Sequence, residues 1–437
     1  MTANTQNVGT GSAGIESVEE FTARARAWLS EHMPRAADGL GGYKVVRRTD
    51  EDELLHIARC RELQRMLFDG GLAGIAVPKE YGGQGLTVAH QAALNVEIRG
   101  YEYPADTQIP TLTPCMSVIL EFGTEEQKRR HVPPILKGEA FWMQFLSEPS
   151  GGSDLAGALT TAVRDGDEWV LNGSKIWTTG AWWADWGLCL ARTNWDVPKH
   201  RGLSVFMLEI HQPGIEVHRI EMLNGSREFC QEFMTDVRIP DSQRIGQVDE
   251  GWAVTTRWMY HERTVAAGSP YVTSPAGRPQ VALDTTGGPA ALIPWARRRG
   301  WLGADGDTKV KELIGESLAI TLVGNALTER VAVRIRSGEA TDQSAAITRL
   351  WYGVTAVRNS AIGFELTGTS AVAWDDDESA LGQIGIRFLM RQASCIAGGT
   401  TEMARNAISE RVLGLPQERR LDKDIPFRDV PRSAATR

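Results

Sequence analysis

Two stretches of the sequence hold residue types that grip a flat or anionic ligand. The first is Gln144-Phe145-Leu146-Ser147-Glu148-Pro149-Ser150-Gly151-Gly152-Ser153-Asp154. A β-prone run enters a Gly-rich turn here. Such a turn lets backbone amides and small hydroxyls approach a planar or charged group. The second is Trp177-Thr178-Thr179-Gly180, at the end of another β-prone run. An aromatic ring followed by hydroxyls suits stacking on a ring and hydrogen bonding to its edge. Singly, each has a plainer reading: a surface turn, and a tryptophan in a sheet core.

Together the two stretches carry a resemblance. Leu146 to Asp154 resembles the T-E-P-x-x-G-S-D signature of acyl-CoA dehydrogenases, and the spacing to Leu171-Asn-Gly-Ser-Lys-Ile-Trp-Thr-Thr-Gly180 is similar to theirs. Upstream, Gly74-Ile-Ala-Val-Pro-Lys-Glu-Tyr-Gly-Gly83 and Gly123-Thr-Glu-Glu-Gln-Lys128 resemble the family's N-terminal helical domain. Downstream, Ala397-Gly-Gly-Thr-Thr-Glu-Met-Ala-Arg405 and Glu410-Arg-Val-Leu-Gly-Leu-Pro416 resemble its C-terminal signature. The resemblance runs from residue 17 to residue 418. It implies a mainly α fold with a central β domain: an N-terminal helical domain, a β-barrel-like sheet domain and a C-terminal four-helix bundle. It also implies FAD, oxidation of the Cα–Cβ bond of an acyl-CoA thioester to the 2-enoyl-CoA, and an electron-transfer flavoprotein as acceptor.

The same resemblance assigns roles. Gln144, Leu146 and Ser147 fall where the family meets the isoalloxazine ring. Trp177, Thr178 and Thr179 fall on the strand that packs against the flavin and hydrogen-bonds it, with Thr179 near N5. Ser153 falls between flavin and the CoA moiety. Thr400 and Glu402 fall where the C-terminal segment touches FAD, and Arg263 falls where an arginine approaches the CoA portion of the thioester.

Removing a proton α to a thioester requires a carboxylate in a dry site, where its pKa rises. The best-known members place this Glu in Y-E-G-T, just before the C-terminal Gly-Thr; here that position is Gly398. A second family solution puts it in L-x-x-E-R on the first helix after the sheet domain. This chain has Trp258-Met-Tyr-His-Glu262-Arg263 there, so Glu262 is the expected base. Taken alone, Glu262 would read as a solvated helix carboxylate. Its neighbour His261 points ~100° away around the helix and is expected to face elsewhere. The family's R-x-x-F-G and Q-x-x-G-G-x-G-Y motifs, which hold the FAD pyrophosphate across a subunit boundary, are missing. Glu365-Leu-Thr-Gly-Thr-Ser370 stands in place of the second. A homodimer, a homotetramer and an α2β2 assembly with a homologous subunit all remain open. So do two other functions: a flavin monooxygenase on the same fold, and a non-catalytic subunit of a heteromeric dehydrogenase.

Composition sets the outer bounds. The chain has 437 residues, 42% apolar and 23% charged, with a formal charge of −8. That is ordinary globular make-up for two or three domains, without the basic patch that nucleic acid requires. The five cysteines contain no C-x-x-C pair and the eight histidines no H-x-x-x-H pair. This pattern suits buried thiols in a reducing compartment and gives metal catalysis no support. Residues 1–16 read as a disordered leader without signal-peptide character. No run approaches the ~18 apolar residues of a membrane span, and a cytoplasmic location is expected.

Periodicity supplies the elements. Ser17 and Glu20 form a capping-box pattern ahead of Phe21, Trp28 and Leu29 at helical spacing. Residues 53–67 repeat the pattern through Leu54, Ile57, Leu63, Met66 and Leu67, and Gly70-Gly71 ends it. The expected units are a helical domain over 17–141, an antiparallel sheet domain over 142–248, a helical bundle over 249–418 and a tail over 419–437. Within the sheet, Asn172-Gly173 and Asp165-Gly166 both read as hairpin turns. Residues 309–337 and 345–366 read as long helices, and the Gly/Pro/Asp-rich stretch 269–307 as a functional loop or insertion. The tail, charged and with two prolines, reads as mobile or as an arm on a partner subunit.

Overall fold

The computed structural model describes residues 15–36, 49–108, 112–264, 271, 289–372, 380–419 and 422–431. Most of the leader and much of the 269–307 stretch therefore lie outside the described residues. The N-terminal unit is helical: α1 (Val18–His32), α2 (Asp50–Asp69), α3 (Val88–Glu97), α4 (Thr113–Phe122) and α5 (Glu125–Leu136). The capping box forms as its residues require. The Glu20 amide donates to Ser17 Oγ at 3.2 Å, and the Ser17 amide donates to Glu20 Oε2 at 2.8 Å. Phe21 and Leu29 are buried, whereas Leu54, expected on the apolar face of α2, is 48% exposed.

The middle unit is one eight-stranded sheet: β1 (Trp142–Phe145), β2 (Thr161–Asp165), β3 (Glu168–Thr179), β4 (Trp186–Arg192), β5 (Leu203–Glu209), β6 (Ile215–Ile220), β7 (Phe229–Pro240) and β8 (Arg244–Ile245). Its order is β6-β7-β3-β2-β4-β5-β8, with β1 beside β4. Two features correct the sequence reading. Strand β4 pairs in parallel with β1 and, at Thr161–Arg192, with β2, so the sheet is not wholly antiparallel. Asn172-Gly173 is not a hairpin either. The tight turn is the one at Asp165-Gly166, where Asp165 pairs Glu168. Asn172-Gly173 lies inside β3 as a register shift against β7. Gly173 has φ 153°, and a Cβ there would meet Thr160 at 2.6 Å. The Asn172 side chain ties the bulge to β7, accepting from the Asp236 amide at 2.9 Å. An Asn-Gly pair thus serves an interior bulge as readily as a turn, because both want unusual backbone angles.

The chain then returns to helix: α6 (Gly251–Thr264), α7 (Pro289–Arg298), α8 (Thr308–Arg336), α9 (Ala345–Thr367), α10 (Ala380–Met390) and α11 (Thr401–Ala407). The stretch expected to be a loop over 269–307 therefore contains a helix, α7. Leu292, Val310, Leu313, Ile314, Ile362, Leu366 and Ile384 draw α7, α8, α9 and α10 around one core. Helix α6 belongs to a different core. Val254 and Trp258 pack there with Met116 and Ile119 of α4 and with Trp142, Leu188 and Val205 of the sheet. This seam between N-terminal helices, sheet and α6 positions the site.

The tail is docked on the sheet domain of its own chain. Phe427 is buried, stacks on Trp195 at 5.4 Å and lies under the guanidinium of Arg192 at 3.7 Å. The Phe427 amide donates to Val197 O at 2.9 Å, Arg428 pairs with Asp196, and Lys199 pairs with both Asp422 (2.7 Å) and Asp154 (2.9 Å). Among the described residues no helix is long and apolar enough to cross a membrane.

Candidate active site

Glu148 and Lys175 hold the Gly-rich turn from inside the sheet. Lys175 is fully buried on β3 and donates to Glu148 Oε1 at 2.8 Å and to Leu146 O at 3.2 Å. The Glu148 carboxylate also accepts from the amides of Leu159 (2.6 Å) and Thr160 (3.0 Å). Burial alone would raise its pKa. The Lys175 charge and these donors outweigh that and hold it below the usual carboxylate range. The Ile176 amide donates to Ser147 O at 2.9 Å, and Glu148 and Gly151 exchange backbone hydrogen bonds. Ser147 is thereby fixed at the mouth of the turn. Gly152 is open on its Cβ side and Ser153 is exposed.

Strand β3 carries a second irregularity, between Ile176 and Thr178. Strict alternation would put Trp177 on the same face as buried Lys175. The bulge slips the pattern by one residue. Trp177 takes φ 68° and is 51% exposed, its ring edge-on to Phe229 at 6.0 Å. A bulky residue in the left-handed region is strained by ~1–3 kcal/mol, and such strain persists where surrounding structure enforces it. The same slip turns the Thr178 hydroxyl into the core, 2.9 Å from Glu232 Oε2 and 3.4 Å from Gln144 O. Thr178 was expected to face the cofactor; only its backbone is left to do so. Thr179, next along, is half-buried at the strand end.

The Gln144 side chain points toward α6. Trp258 Nε1 donates to Gln144 Oε1 at 2.6 Å, and Trp258 is fully buried. Glu262 follows one turn later on the same helix face. It is half-buried and lies close enough to the thiol of Cys115 on α4 to raise that thiol's pKa, which burial has already driven up. His261 faces elsewhere, as its helix position requires. It is buried with Nε2 2.7 Å from Glu121 Oε1, a carboxylate also gripped by Arg257 at 2.8 and 2.9 Å. Arg263 continues α6, but its side chain lies outside those described.

The C-terminal residues form a separate group. Thr400 caps α11, accepting from the Met403 amide at 3.1 Å. Glu402 is exposed and pairs with Arg405 at 3.2 Å. Helix α11 packs on α9, and Arg349 Nη2 donates to Ala397 O at 2.7 Å. Gly398 and Gly399 have φ 68° and 95°. The structure thus brings Gln144, Leu146, Ser147, Trp177 and Thr179 together on the sheet, ties Glu262 to them through Trp258, and places Thr400 and Glu402 at the start of α11, which packs on α9. Sequence reasoning missed Glu148, Lys175, Glu232 and Trp258 as the residues that hold this arrangement. Lys175 is fully buried on its strand, and a buried lysine demands an anionic partner.

Residues 16–139 match the model for the acyl-CoA dehydrogenase N-terminal domain, and residues 144–237 match that for the middle domain. The acyl-CoA dehydrogenase IpdE1 of Mycobacterium tuberculosis is 31% identical over 409 residues, 92% of this chain and 99% of that relative. The chain belongs to the acyl-CoA dehydrogenase family. Solved structures agree. A steroid ACAD titled Tcur3481-Tcur3483 matches with TM-score 0.70 and 27% identity, covering 92% of this chain and 98% of that one. The ChsE4-ChsE5 complex from Mycobacterium tuberculosis matches with TM-score 0.66 and 27% identity over the same shares of the two chains. Acyl-CoA dehydrogenases are oxidoreductases of lipid β-oxidation, and members of the family are flavoproteins. The residues present fit a flavin: the exposed Trp177 offers a flat face, and Gly152 in the Gly-rich turn leaves room for close approach to its backbone.

Proposed function

We propose that this acyl-CoA dehydrogenase binds FAD and converts an acyl-CoA thioester to its 2-enoyl-CoA, with Glu262 as the base. The observation that carries the reading is the Gln144–Trp258 bond at 2.6 Å. It fixes α6 to the sheet segment of the cofactor site, so a carboxylate one turn on has a defined position relative to that segment. Glu262 is half-buried beside the Cys115 thiol of α4, so bound substrate would complete the exclusion of water from it.

FAD, when bound, supplies the two-electron acceptor that takes the β-hydrogen as hydride. The chain's residues do the rest. Trp177 would pack against the ring, while Ser147, Leu146 and Thr179 would present backbone and hydroxyl groups to its edge. Ser153 would meet the CoA portion, a role the family resemblance gives to Arg263 as well. Glu262 takes the α-proton, so the substrate loses one proton and one hydride and gains the double bond. An electron-transfer flavoprotein would serve as the electron acceptor. Because a solved relative is titled a steroid ACAD, a ring-bearing acyl-CoA belongs in the first panel of substrates. The test is the visible spectrum of the purified chain supplied with FAD, followed by anaerobic addition of straight, branched and ring-bearing acyl-CoAs. Flavin absorbance that bleaches with one class of thioester is expected. A colourless chain, even with a co-encoded homologous subunit, would refute the reading.

The functional unit is proposed to be an oligomer. Leu322, Val323 and Val333 on α8 and Tyr352 and Val354 on α9 are exposed apolar residues on the two longest helices, the kind of surface a partner subunit covers. Two relatives with paired chain names, Tcur3481-Tcur3483 and ChsE4-ChsE5, support a homologous second subunit. Light scattering is expected to give a mass of two or more chains. A fully active monomer would contradict this.

A further inference from the structure

Two glutamines meet in the interior of the N-terminal helical domain: Gln64 of α2 and Gln108, just ahead of α4, 4% and 5% exposed. Their amides form a chain whose direction is fixed at one end. Gln64 Nε2 donates at 2.7 Å to the carbonyl of Leu136, the last residue of α5. A backbone carbonyl only accepts, so Gln64 must turn its nitrogen toward it and its oxygen away. That oxygen accepts from Gln108 Nε2. Reversing either amide would set oxygen against oxygen, so Gln108 Oε1 is an acceptor by necessity. Among the described residues it is buried and receives no hydrogen bond. A buried amide oxygen without a donor is uncommon in a folded chain and calls for a group from outside it.

Both glutamines line a cavity of about 20 Å³, room for one water-sized group. Most of the wall is apolar, with Ala73, Leu112, Met116 and Ile135. Water suits such a space poorly, because a buried water needs ~2–4 polar partners. Gln64 has spent its oxygen and one N–H inside the pair. The Gly74 carbonyl already accepts from the amides of Val77 and Gln84, each at 3.0 Å. Among the described residues no charged side chain lines the cavity, so an ionised ligand end would find no counter-charge. A hydroxyl on an apolar skeleton fits better. Its proton goes to Gln108 Oε1, and its carbon frame meets the apolar wall. A ketone or a carboxylate brings only lone pairs to that oxygen.

The cavity adjoins the proposed base along two routes. Leu112, Cys115 and Met116 stand at i, i+3 and i+4 across the start of α4 and share one face. Leu112 and Met116 line the cavity, and Cys115 is the thiol beside Glu262. Tyr271 also lines it, with its ring centre 6.4 Å from that of His261, the residue before Glu262. Gln108 is tied to the start of α4, since Thr113 Oγ1 donates to Gln108 O at 2.7 Å. Its amide therefore lies toward the N-terminal end of that face, and Cys115 lies further along.

We propose that Gln108 is a specificity residue: its side-chain oxygen receives a hydroxyl carried by the acyl group at the end away from the thioester, and the substrate is a hydroxylated acyl-CoA. The inference rests on the dehydrogenase reading above.

The experiment uses the full chain with FAD. Straight-chain and ring-bearing acyl-CoAs are supplied in three forms: plain, hydroxylated at the far end, and oxidised there to the ketone. For one skeleton, kcat/KM of the wild type is expected to be about tenfold higher for the hydroxylated form than for the other two, the worth of one buried hydrogen bond. The gain should sit in KM, because the contact is the same before and during the reaction. Gln108→Leu keeps the bulk and removes the acceptor, and should bring the ratio to one or below. That variant also strips Gln64 of its donor, but a ratio taken within one protein cancels any general loss of fold. Met116→Phe fills the cavity from the apolar wall with both amides intact, and should also abolish the preference. Equal handling of all three forms by the wild type on every skeleton, as a resident water would give, would overturn the proposal. So would a hydroxyl preference that survives Gln108→Leu. Calorimetric binding reads the same ratio without turnover. Hydroxyl discrimination in binding by a chain whose flavin no acyl-CoA bleaches would overturn the dehydrogenase reading and leave the hydroxyl site standing.

Discussion

Glu262→Gln is expected to slow acyl-CoA-driven bleaching of the flavin by ~10²–10⁴-fold, the usual contribution of a positioned general base. That is ~3–5 kcal/mol of barrier at ~1.4 kcal/mol per decade. Glutamine keeps the shape and hydrogen-bonding capacity of the side chain and removes only the proton acceptor. Acyl-CoA affinity should therefore change little. Proton and hydride loss are coupled, so the flavin should stay oxidised although substrate is bound. Stopped-flow absorbance under anaerobic conditions reads both quantities. A wild-type bleaching rate would mean that Glu262 is a bystander. A carboxylate moved to the position used by other members is not expected to restore the rate. Gly398 sits at φ 68°, a conformation that a glutamate adopts only with strain. The backbone at 398 is thus shaped for a residue without a side chain, which favours the proposed base on α6.

Lys175→Met is expected to destabilise the chain by ~3–5 kcal/mol, because it leaves Glu148 as an unpaired charge in a dry interior. The measurement is the denaturant midpoint followed by circular dichroism. Flavin uptake should fall in parallel, since Lys175 also holds the Leu146 carbonyl at 3.2 Å. Adding Glu148→Gln should recover part of the stability, as removing both charges costs less than removing one. The wild-type pair also sets an acid limit. The Glu148 pKa is lowered in the folded state. Its contribution is therefore present above the unfolded carboxylate value and lost as pH falls through the folded one. A single mutant as stable as wild type would show that Glu148 and Lys175 do not hold the turn.

The Gly-rich turn, the strand after it and the helix that carries Glu262 could be read from residue order, because each is a local pattern. Ser17 with Glu20, Ser147 to Ser153 and Trp258 to Glu262 all lie within one or two turns of chain. What could not be read depends on partners far along the sequence. Nothing local to Asn172-Gly173 tells a bulge from a hairpin; the decision rests on β7 continuing past it. The slip at Trp177 has the same origin. It reverses which of Trp177 and Thr178 meets solvent, so the hydroxyl expected at the cofactor ended in the core beside Glu232. Lys175 drew no reading of its own from the sequence, and its choice of Glu148 over Glu232 is a matter of distances that only the folded sheet defines. The tail is the opposite case. Its charge suggested mobility, while one aromatic, Phe427, was enough to anchor it.

That anchor has a consequence for how the molecule is assembled. The sheet domain and the docked tail hold both ends of the helical region, which makes that region a closed loop rather than a free appendage. Closing a loop of this length removes only slowly growing chain entropy, so a small contact at Phe427, Val197 and Lys199 is sufficient to keep it shut. During synthesis, the Arg192 guanidinium and the Trp195 ring emerge with the sheet. The aromatic that completes their stack is made only after every helix of the C-terminal region. Final closure of the sheet domain therefore waits for residues made after α11. The Gly-rich turn is joined to that event through a single ammonium group, since Lys199 reaches Asp154 on one side and Asp422 on the other.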